Sequence, residues 1–280
     1  MPVLALRGGG TVARLGLGTW RMGEARLARK DEAAVLRHAV GRGITLIDTA
    51  EMYGDGGAEE VVGDALRGLG SARDQLFLVS KVYPWNASRR GTVEACERSL
   101  TRMGVDRIDL YLLHWRGEHP LADTVAAFEK LKRDGKIGHW GVSNFDTGDM
   151  RELDAVENGR NAVVNQVYYN LAKRWPEATL LPWQRERGIA TMAYSPLDQG
   201  ALPAHKVLAP IAARHGVAPA QIALAWLLRA EDVIAIPKTS RIEGVDEIVG
   251  APRIALQAED MELLHRAFPP PRPAARMQTT

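Results

Sequence analysis

Residues 44–54 read Ile-Thr-Leu-Ile-Asp-Thr-Ala-Glu-Met-Tyr-Gly, an apolar run that turns polar at Asp48 and continues to Tyr53. The same arrangement recurs twice: residues 76–80 precede Lys81, and residues 108–113 precede His114. Short apolar runs of this kind are typical of buried parallel strands. Because the C-terminal ends of parallel strands meet at one edge of a sheet, these four side chains are expected to lie close together.

Strand-like and helix-like segments alternate along most of the chain. The predicted strands lie near residues 15–18, 44–47, 76–80, 108–113, 137–142, 163–167, 189–193 and 233–236. The predicted helices are 31–42, 57–69, 90–103, 122–134, 147–157, 176–187, 219–230 and 241–249. Eight such pairs over about 250 residues favour an α/β fold of the (β/α)8 TIM barrel type. A Rossmann-type sheet is the alternative, but the segment Gly16-Leu17-Gly18-Thr19-Trp20 lacks the third glycine of its phosphate-binding motif.

The two ends of the chain carry their own signals. Two strand-like segments flank Gly8-Gly9-Gly10, which predicts an N-terminal β-hairpin over residues 1–17. Residues 269–280 include Pro269, Pro270, Pro271 and Pro273, so this Pro-rich tail is predicted to be flexible and not helical. No long polar linker divides the chain, and residues 1–280 are therefore expected to form a single barrel domain.

Composition excludes several classes of protein. The 280 residues are 46% hydrophobic and 25% charged, with a formal net charge of +2 and no block of like charge that would follow a nucleic-acid backbone. No apolar run approaches the roughly 20 residues that span a bilayer, and no signal peptide is recognisable. The one cysteine, Cys96, falls on the apolar face of a predicted helix. We expect a cytoplasmic protein that binds neither nucleic acid nor membrane.

Polar or aromatic residues follow every one of the eight predicted strands. In chain order they are Trp20, Asp48, Lys81, His114, Ser143 with Asn144, Gln166, Tyr194 with Ser195, and Lys238. Strands often end in polar turns, but a complete ring of such residues is hard to obtain by chance. In a TIM barrel the ring surrounds one pocket, where the active site lies.

Four members of this site suggest acid catalysis on a carbonyl oxygen. The pKa of a tyrosine is about 10 in water, and a neighbouring ammonium such as that of Lys81 is expected to lower it for Tyr53. Asp48 would keep Lys81 charged, and His114 would orient the carbonyl. Structural interpretations remain open for each: a buried Asp48–Lys81 ion pair, a core histidine, and a tyrosine that only packs.

The chain resembles the aldo-keto reductases, and looks closest to compact bacterial members that reduce methylglyoxal or diketo-sugar acids. The matching stretches are residues 46–54 (Leu-Ile-Asp-Thr-Ala-Glu-Met-Tyr-Gly), 79–81 (Val-Ser-Lys), 109–115 (Asp-Leu-Tyr-Leu-Leu-His-Trp), 141–145 (Gly-Val-Ser-Asn-Phe), 165–166 (Asn-Gln), 193–197 (Ala-Tyr-Ser-Pro-Leu) and 236–238 (Ile-Pro-Lys). The resemblance extends to about residue 268. It implies NADPH-dependent reduction of aldehydes and ketones, with Tyr53 as proton donor and Asp48, Lys81 and His114 as the other catalytic residues.

The resemblance also implies how the cofactor NADPH/NADP+ is bound. Tyr194 would stack on the nicotinamide, while Ser143, Asn144 and Gln166 would bond its carboxamide. Lys238 and Thr239 match the positions that meet the 2′-phosphate, although Gly244 stands where the family often has arginine. The full set of implied cofactor contacts is Gly18, Thr19, Trp20, Asp48, Ser143, Asn144, Gln166, Tyr194, Ser195, Leu197, Gly200, Ile236, Lys238, Thr239, Arg241 and Glu247.

The substrate pocket is expected to be aromatic and open. Trp20, Trp85 and Trp115 follow three strands and are predicted to line it with Tyr53 and His114. A short tail predicts small or varied carbonyl substrates, and the protein is expected to be a monomer.

Two other functions stay open. Similar barrels act as nicotinamide-sensing regulatory subunits with little turnover. A metal-dependent barrel hydrolase is the other alternative, although metal sites need several convergent ligands and no H-x-H motif follows an early strand. No metal is expected.

Overall fold

The computed structural model describes residues 1–272 and 275–279, and in them the chain forms a β-hairpin followed by a parallel barrel. The hairpin pairs β1 (Val3–Ala5) with β2 (Thr11–Ala13). The described barrel strands are β3 (Leu17–Gly18), β4 (Leu46–Asp48), β5 (Phe77–Val82), β6 (Ile108–Leu113), β7 (Ile137–Ser143), β8 (Val164–Tyr168), β9 (Ala190–Tyr194) and β10 (Val233–Ala235). Each strand pairs in parallel with the next one along the chain.

Main-chain hydrogen bonds join the first barrel strand to the last. The amide of Gly16 donates to the carbonyl of Ala235 at 2.9 Å, and the amide of Ala235 donates to the carbonyl of Arg14 at 2.9 Å. A parallel bridge also pairs Leu15 with Ala235. The sheet therefore curls onto itself, and the predicted (β/α)8 fold with an N-terminal hairpin is confirmed.

Helices lie between the strands and pack on the outside of the barrel. Those in the described residues are α1 (Arg29–Gly41), α2 (Gly57–Arg67), α3 (Arg89–Met103), α4 (Leu121–Arg133), α5 (Thr147–Ala155), α6 (Leu180–Arg185), α7 (Leu208–His215), α8 (Pro219–Leu228), α9 (Ile242–Gly250) and α10 (Ala258–Ala267). The sequence did not predict α7 and α10. Both bury few residues: α7 contains Pro210 and buries Leu208, Ile211 and Ala212, and α10 buries Asp260 and Leu264. The predicted helix 176–187 was too long, because a 3₁₀ turn at Trp175–Ala178 precedes α6.

Local signals at the helix ends agree with the sequence. Asp146 caps α5 by accepting from the amides of Gly148 at 2.7 Å and Asp149 at 2.9 Å, and the Asp149 side chain accepts from the Asp146 amide at 3.0 Å. Gly135 and Gly188 follow α4 and α6 with φ of 74° and 64°, a conformation that costs glycine little.

The hairpin closes the barrel at the end where the strands begin. Its residues Leu6 and Val12 are buried in the same apolar cluster as the interior residues Leu46, Val79 and Leu110. The other end, where the strands finish, is left for the polar residues.

The C-terminal tail is not helical in its described part. Ala275 and Met277 pack against the main core cluster, while Pro273 lies outside the described residues. Its flexibility stays a prediction. No helix in residues 1–272 and 275–279 is long and apolar enough to cross a bilayer.

Candidate active site

A cavity of about 860 Å³ opens where the barrel strands end. Seven of the eight predicted strand-end positions contribute to its wall, namely Trp20, Asp48, His114, Ser143 with Asn144, Gln166, Tyr194 with Ser195, and Lys238. Lys81 is the exception because it is 0% exposed and lies behind Asp48 and Tyr53. The fold thus brings the predicted residues to one place.

Lys81 is the centre of a buried hydrogen-bond network. Its Nζ donates to both carboxylate oxygens of Asp48, at 2.9 and 2.8 Å, and to the carbonyl of Thr49 at 2.9 Å. The hydroxyl of Tyr53 lies 3.3 Å from the same nitrogen. Tyr53 lies in the loop after β4. The two residues that follow it have positive φ, 59° at Gly54 and 53° at Asp55, before α2 begins. This tight turn returns the phenol to the strand ends.

The expectation that the pKa of Tyr53 is lowered overall is wrong. Burial, and then the negative charge of Asp48, raise the pKa of Tyr53 well above its usual value of 10. Burial also lowers the pKa of Lys81, although Asp48 opposes that shift. The carboxylate of Asp48 neutralises much of the ammonium field at the phenol, so the phenol remains protonated.

His114 is held in its neutral form. Burial, and then the charge of Lys81, lower the pKa of His114 well below 6.5. Its ring makes an edge contact with the ring of Tyr53, with centroids 5.8 Å apart. Its Nδ1 is buried and has no hydrogen-bond partner among the described residues. A buried polar atom of this kind needs a partner, which a water molecule or a ligand can supply.

The residues predicted to hold a carboxamide form a connected polar wall beside His114. Ser143 Oγ donates to the carbonyl of Gln166 at 2.9 Å, and Asn144 Nδ2 donates to the carbonyl of His114 at 3.1 Å. Gln166 Nε2 donates to Asp48 Oδ1 at 2.8 Å. The Tyr194 hydroxyl donates to Asn144 Oδ1 at 2.9 Å. The wall therefore connects directly to the Asp48–Lys81 pair.

Two buried glutamates that the sequence did not single out support this end of the barrel. Glu51 accepts hydrogen bonds from the amide of Tyr83 at 2.8 Å and from Asn86 Nδ2 at 3.0 Å, which ties the loop after β4 to the loop after β5. Glu59 accepts from Ser80 Oγ at 2.5 Å and from Arg102 Nε at 2.6 Å. Glu59 gave no signal because acidic residues are common in the first turn of a helix. Glu51 gave none because it lies in the loop after β4 and its partners come from another loop.

The predicted phosphate-binding residues divide into two groups. Lys238 lines the cavity, and burial lowers the pKa of its amine, although the negative charge of Glu32 opposes that shift. Thr239, exposed Arg241 and half-buried Glu247 lie outside the cavity wall.

Gly244, where the resemblance suggests arginine, lies against Thr239. A Cβ at position 244 would lie 2.2 Å from Thr239 Oγ1, so a larger residue there requires a shift of Thr239.

Most of the remaining predicted cofactor contacts near the strand ends line the cavity, but one does not. Gly18, Leu197, Gly200 and Ile236 line the cavity. Thr19 does not: it is fully buried, and its Oγ1 donates to the carbonyl of Asp48 at 3.1 Å. Thr19 therefore supports the strand end that carries the carboxylate.

The three predicted pocket tryptophans are not equivalent. Trp20 and Trp115 line the cavity. Trp85 lies outside the cavity wall, is 66% exposed, and stacks on Tyr83 with ring centroids 4.8 Å apart. Trp85 also meets Trp115 edge-on at 5.5 Å, so it braces the rim of the pocket.

The cavity includes residues that the sequence did not predict. They are Arg21, Met52, Arg116, Asp149, Pro196, Gln199, Pro237, Met277 and Thr279. Most directly follow or neighbour a predicted residue, and that adjacency was the available signal. Met277 and Thr279 had none, because tail placement depends on packing that no local pattern encodes. Both line a cavity that was expected to be left open by a short tail.

No group of three or more His, Cys, Asp or Glu side chains in the described part of the chain could hold a metal ion. The Cys96 thiol is buried, and burial raises its pKa to about 12.

Comparison with known proteins gives consistent results. The model of the Aldo/keto reductase family matches residues 14–267. Methylglyoxal reductase YeaE of Escherichia coli (strain K12) is 47% identical over 263 residues, which cover 92% of this chain and 92% of that protein. Glyoxal reductase of Bacillus subtilis (strain 168) is 36% identical over 88% of this chain and 86% of its own. A crystal structure of aldo-keto reductase from Klebsiella pneumoniae in complex with NADPH is 46% identical, covers 100% of this chain and 99% of that one, and has a TM-score of 0.95.

Proposed function

The chain belongs to the aldo/keto reductase family, and from this premise we propose that it reduces small aldehydes and ketones, methylglyoxal among them, with NADPH. The observation that carries the proposal is the Tyr53 hydroxyl, 3.3 Å from the buried amine of Lys81 and beside the neutral ring of His114. The printed names of two relatives, methylglyoxal reductase and glyoxal reductase, support the same substrate class.

The cavity residues fit a nicotinamide dinucleotide. Tyr194 supplies a flat ring face, and the Ser143, Asn144 and Gln166 side chains supply polar atoms. These atoms lie beside the tetrad, which consists of Asp48, Tyr53, Lys81 and His114. Lys238 supplies a cation on the same cavity wall. When bound, the reduced dinucleotide supplies the hydride.

Tyr53 is the proposed proton donor. Its raised pKa keeps the hydroxyl protonated at neutral pH, so a proton is always available there. The oxygen that accepts it becomes an alkoxide, a stronger base than a phenolate, and the transfer from Tyr53 is therefore favourable. Lys81 stabilises the phenolate that remains, and Asp48 holds Lys81 in place.

His114 is proposed to orient the carbonyl. A neutral imidazole can donate one hydrogen bond without adding a charge that would compete for the proton. Its position at the edge of the Tyr53 ring directs a bound carbonyl oxygen toward the phenol. Holding the oxygen between two donors also favours the charge that develops on it.

Preference for NADPH over NADH is proposed on the basis of Lys238 and Thr239. An ammonium and a hydroxyl together suit a phosphate group. Exposed Arg241 lies next to Thr239, whose Oγ1 accepts from the Arg241 amide at 3.2 Å, so a second cation is within the same turn. Glu247 is proposed to meet the adenosine.

The proposed substrate pocket is the part of the cavity between Trp20 and Trp115. Met52, Met277 and Thr279 complete its wall. A pocket narrowed by the tail suits small carbonyl compounds better than large ones. We also propose that the protein acts as a monomer and in the cytoplasm, where its one buried thiol, Cys96, would stay reduced.

Stopped-flow oxidation of bound NADPH by methylglyoxal tests this function. Rapid oxidation that depends on methylglyoxal concentration is the expected result. A protein that binds NADPH but does not oxidise it with methylglyoxal, glyoxal or an aromatic aldehyde would instead be a nicotinamide-sensing subunit. Stoichiometric zinc in the purified protein, with no NADPH binding, would favour the metal-dependent hydrolase.

A further inference from the structure

The segment from Ser195 to Gly200 forms one wall of the cavity in an unfavourable backbone conformation. Three of its non-glycine residues have positive φ: Ser195 at 46°, Asp198 at 51° and Gln199 at 55°. Non-glycine residues are uncommon in this region of φ/ψ space and persist where the surroundings hold them. The same segment faces the cavity, which is lined by Ser195, Leu197, Gln199 and Gly200. The strained backbone therefore forms part of the cavity wall.

Two residues, one at the end of the neighbouring strand and one just past it, hold this segment. Tyr168 ends β8, and its hydroxyl donates a hydrogen bond to Asp198 Oδ1. Asn170 Nδ2 donates to the carbonyl of Ser195 at 2.9 Å and lies 3.4 Å from Asp198 Oδ1. Asn170 Oδ1 accepts from the amides of Ala172 and Lys173, both at 2.9 Å, so its own amide group is fixed in orientation.

The same tyrosine also supports the ring that faces the cavity. The rings of Tyr168 and Tyr194 stack nearly parallel, with centroids 5.4 Å apart and an interplanar angle of 6°. Tyr194 lines the cavity, whereas Tyr168 is buried and is not part of the wall. Burial, and then the hydrogen bond to Asp198, raise the pKa of Tyr168, so its hydroxyl remains a donor throughout the neutral range.

We propose that Tyr168 and Asn170 are positioning residues for the cofactor: they hold the strained segment through Asp198 and Ser195, and Tyr168 supports Tyr194 from behind. The wall is then shaped before the dinucleotide arrives, and less ordering is required on binding. Neither residue reaches the Asp48, Tyr53, Lys81 and His114 group, so the chemical step does not depend on them. The inference rests on the proposed NADPH binding.

Tyr168→Phe tests the inference because it removes the hydroxyl and keeps the stacked ring. We expect the NADPH dissociation constant and dissociation rate to rise about tenfold, equivalent to about 1.4 kcal/mol. Single-turnover oxidation of saturating NADPH by methylglyoxal should stay within about twofold of wild type. The unfolding midpoint should also be nearly unchanged, which separates positioning from general destabilisation.

Tyr169→Phe is the matched control. The adjacent tyrosine is also buried, but its hydroxyl donates to Glu177 Oε1 at 2.8 Å, away from the segment 195–200. NADPH affinity should be the same as wild type in that variant. Asp198→Ala should weaken NADPH as Tyr168→Phe does, and the double variant should be no weaker than either. Asp198→Asn keeps an accepting oxygen and should recover most of the affinity.

The outcomes separate the inference from the proposed function. If the Tyr168→Phe and Asp198→Ala variants bind NADPH as tightly as wild type does, the inference is overturned and the function stands. If Tyr168→Phe slows the single-turnover step as much as it weakens binding, Tyr168 acts on the chemistry and the inference is overturned. A wild type that neither binds nor oxidises NADPH contradicts the proposed function itself. Should Tyr168→Phe fail to fold, the two Asp198 variants give the same comparison.

Discussion

Replacing Lys81 with methionine removes the charge at the centre of the site while keeping a side chain of similar length. The Lys81 amine is 0% exposed and donates to Asp48, to the Thr49 carbonyl and toward Tyr53. In Lys81→Met the buried carboxylate of Asp48 keeps Gln166 Nε2, at 2.8 Å, as a hydrogen-bond donor but loses its cation. Removing one partner of a buried pair costs about 3–5 kcal/mol, and we expect the free energy of unfolding to fall by that amount.

Urea unfolding at neutral pH measures this loss, and a double-mutant cycle identifies its cause. Asp48→Asn combined with Lys81→Met removes both charges. The free energy of unfolding lost in the double variant should therefore be smaller than the sum of the two single losses, by at least about 1 kcal/mol. Lys130→Met is the control, because Lys130 pairs with Asp134 on the surface and should cost under about 1 kcal/mol. The reasoning fails if Lys81→Met is no less stable than Lys130→Met, or if the two central substitutions are simply additive.

Three further predictions concern other parts of the site. In the folded protein, burial and then the charge of Lys81 lower the pKa of His114 well below its usual value of 6.5. Below pH 6.5 the unfolded chain therefore takes up the proton first, and the free energy of unfolding falls by about 1.4 kcal/mol per pH unit. Urea unfolding of His114→Gln should lack this component, and equal pH slopes for the variant and wild type would contradict the prediction. Lys238→Ala should raise the KM for NADPH by about tenfold and leave that for NADH nearly unchanged, whereas equal changes would remove the phosphate assignment. Ending the chain at Arg272 removes Met277 and Thr279 from the cavity wall, so relative kcat/KM should shift from methylglyoxal toward bulky aromatic aldehydes; unchanged selectivity would show that the tail does not shape the pocket.

The barrel and the tetrad were predictable because their signals are local. An apolar strand followed by a polar residue recurs at Asp48, Lys81 and His114, and parallel strands bring such residues to the same end of the barrel. The helix cap at Asp146 was predictable for the same reason, since it depends on residues three positions apart.

Features that depend on three-dimensional packing were not predictable. The pKa direction of Tyr53 depends on its partial burial in the cavity wall and on Asp48 offsetting the charge of Lys81, and neither can be read from residue order. The exposed position of Trp85 depends on where the loop after β5 turns. Met277 lines the cavity because of packing against the core that residue order does not encode.

The role of the Tyr53 hydroxyl is the central claim, and single-turnover reduction by Tyr53→Phe tests it most directly. The only direct hydrogen-bond contact of this hydroxyl among the described residues is with Lys81 Nζ at 3.3 Å. The Tyr53→Phe variant should therefore fold as wild type does, and its NADPH dissociation constant should stay within about twofold of the wild-type value. Methylglyoxal reduction should fall by at least about a hundredfold, while Tyr83→Phe, at the pocket rim, should retain the wild-type rate. Reduction at the wild-type rate by Tyr53→Phe, or a loss of NADPH binding that accounts for the whole decrease, would contradict the account.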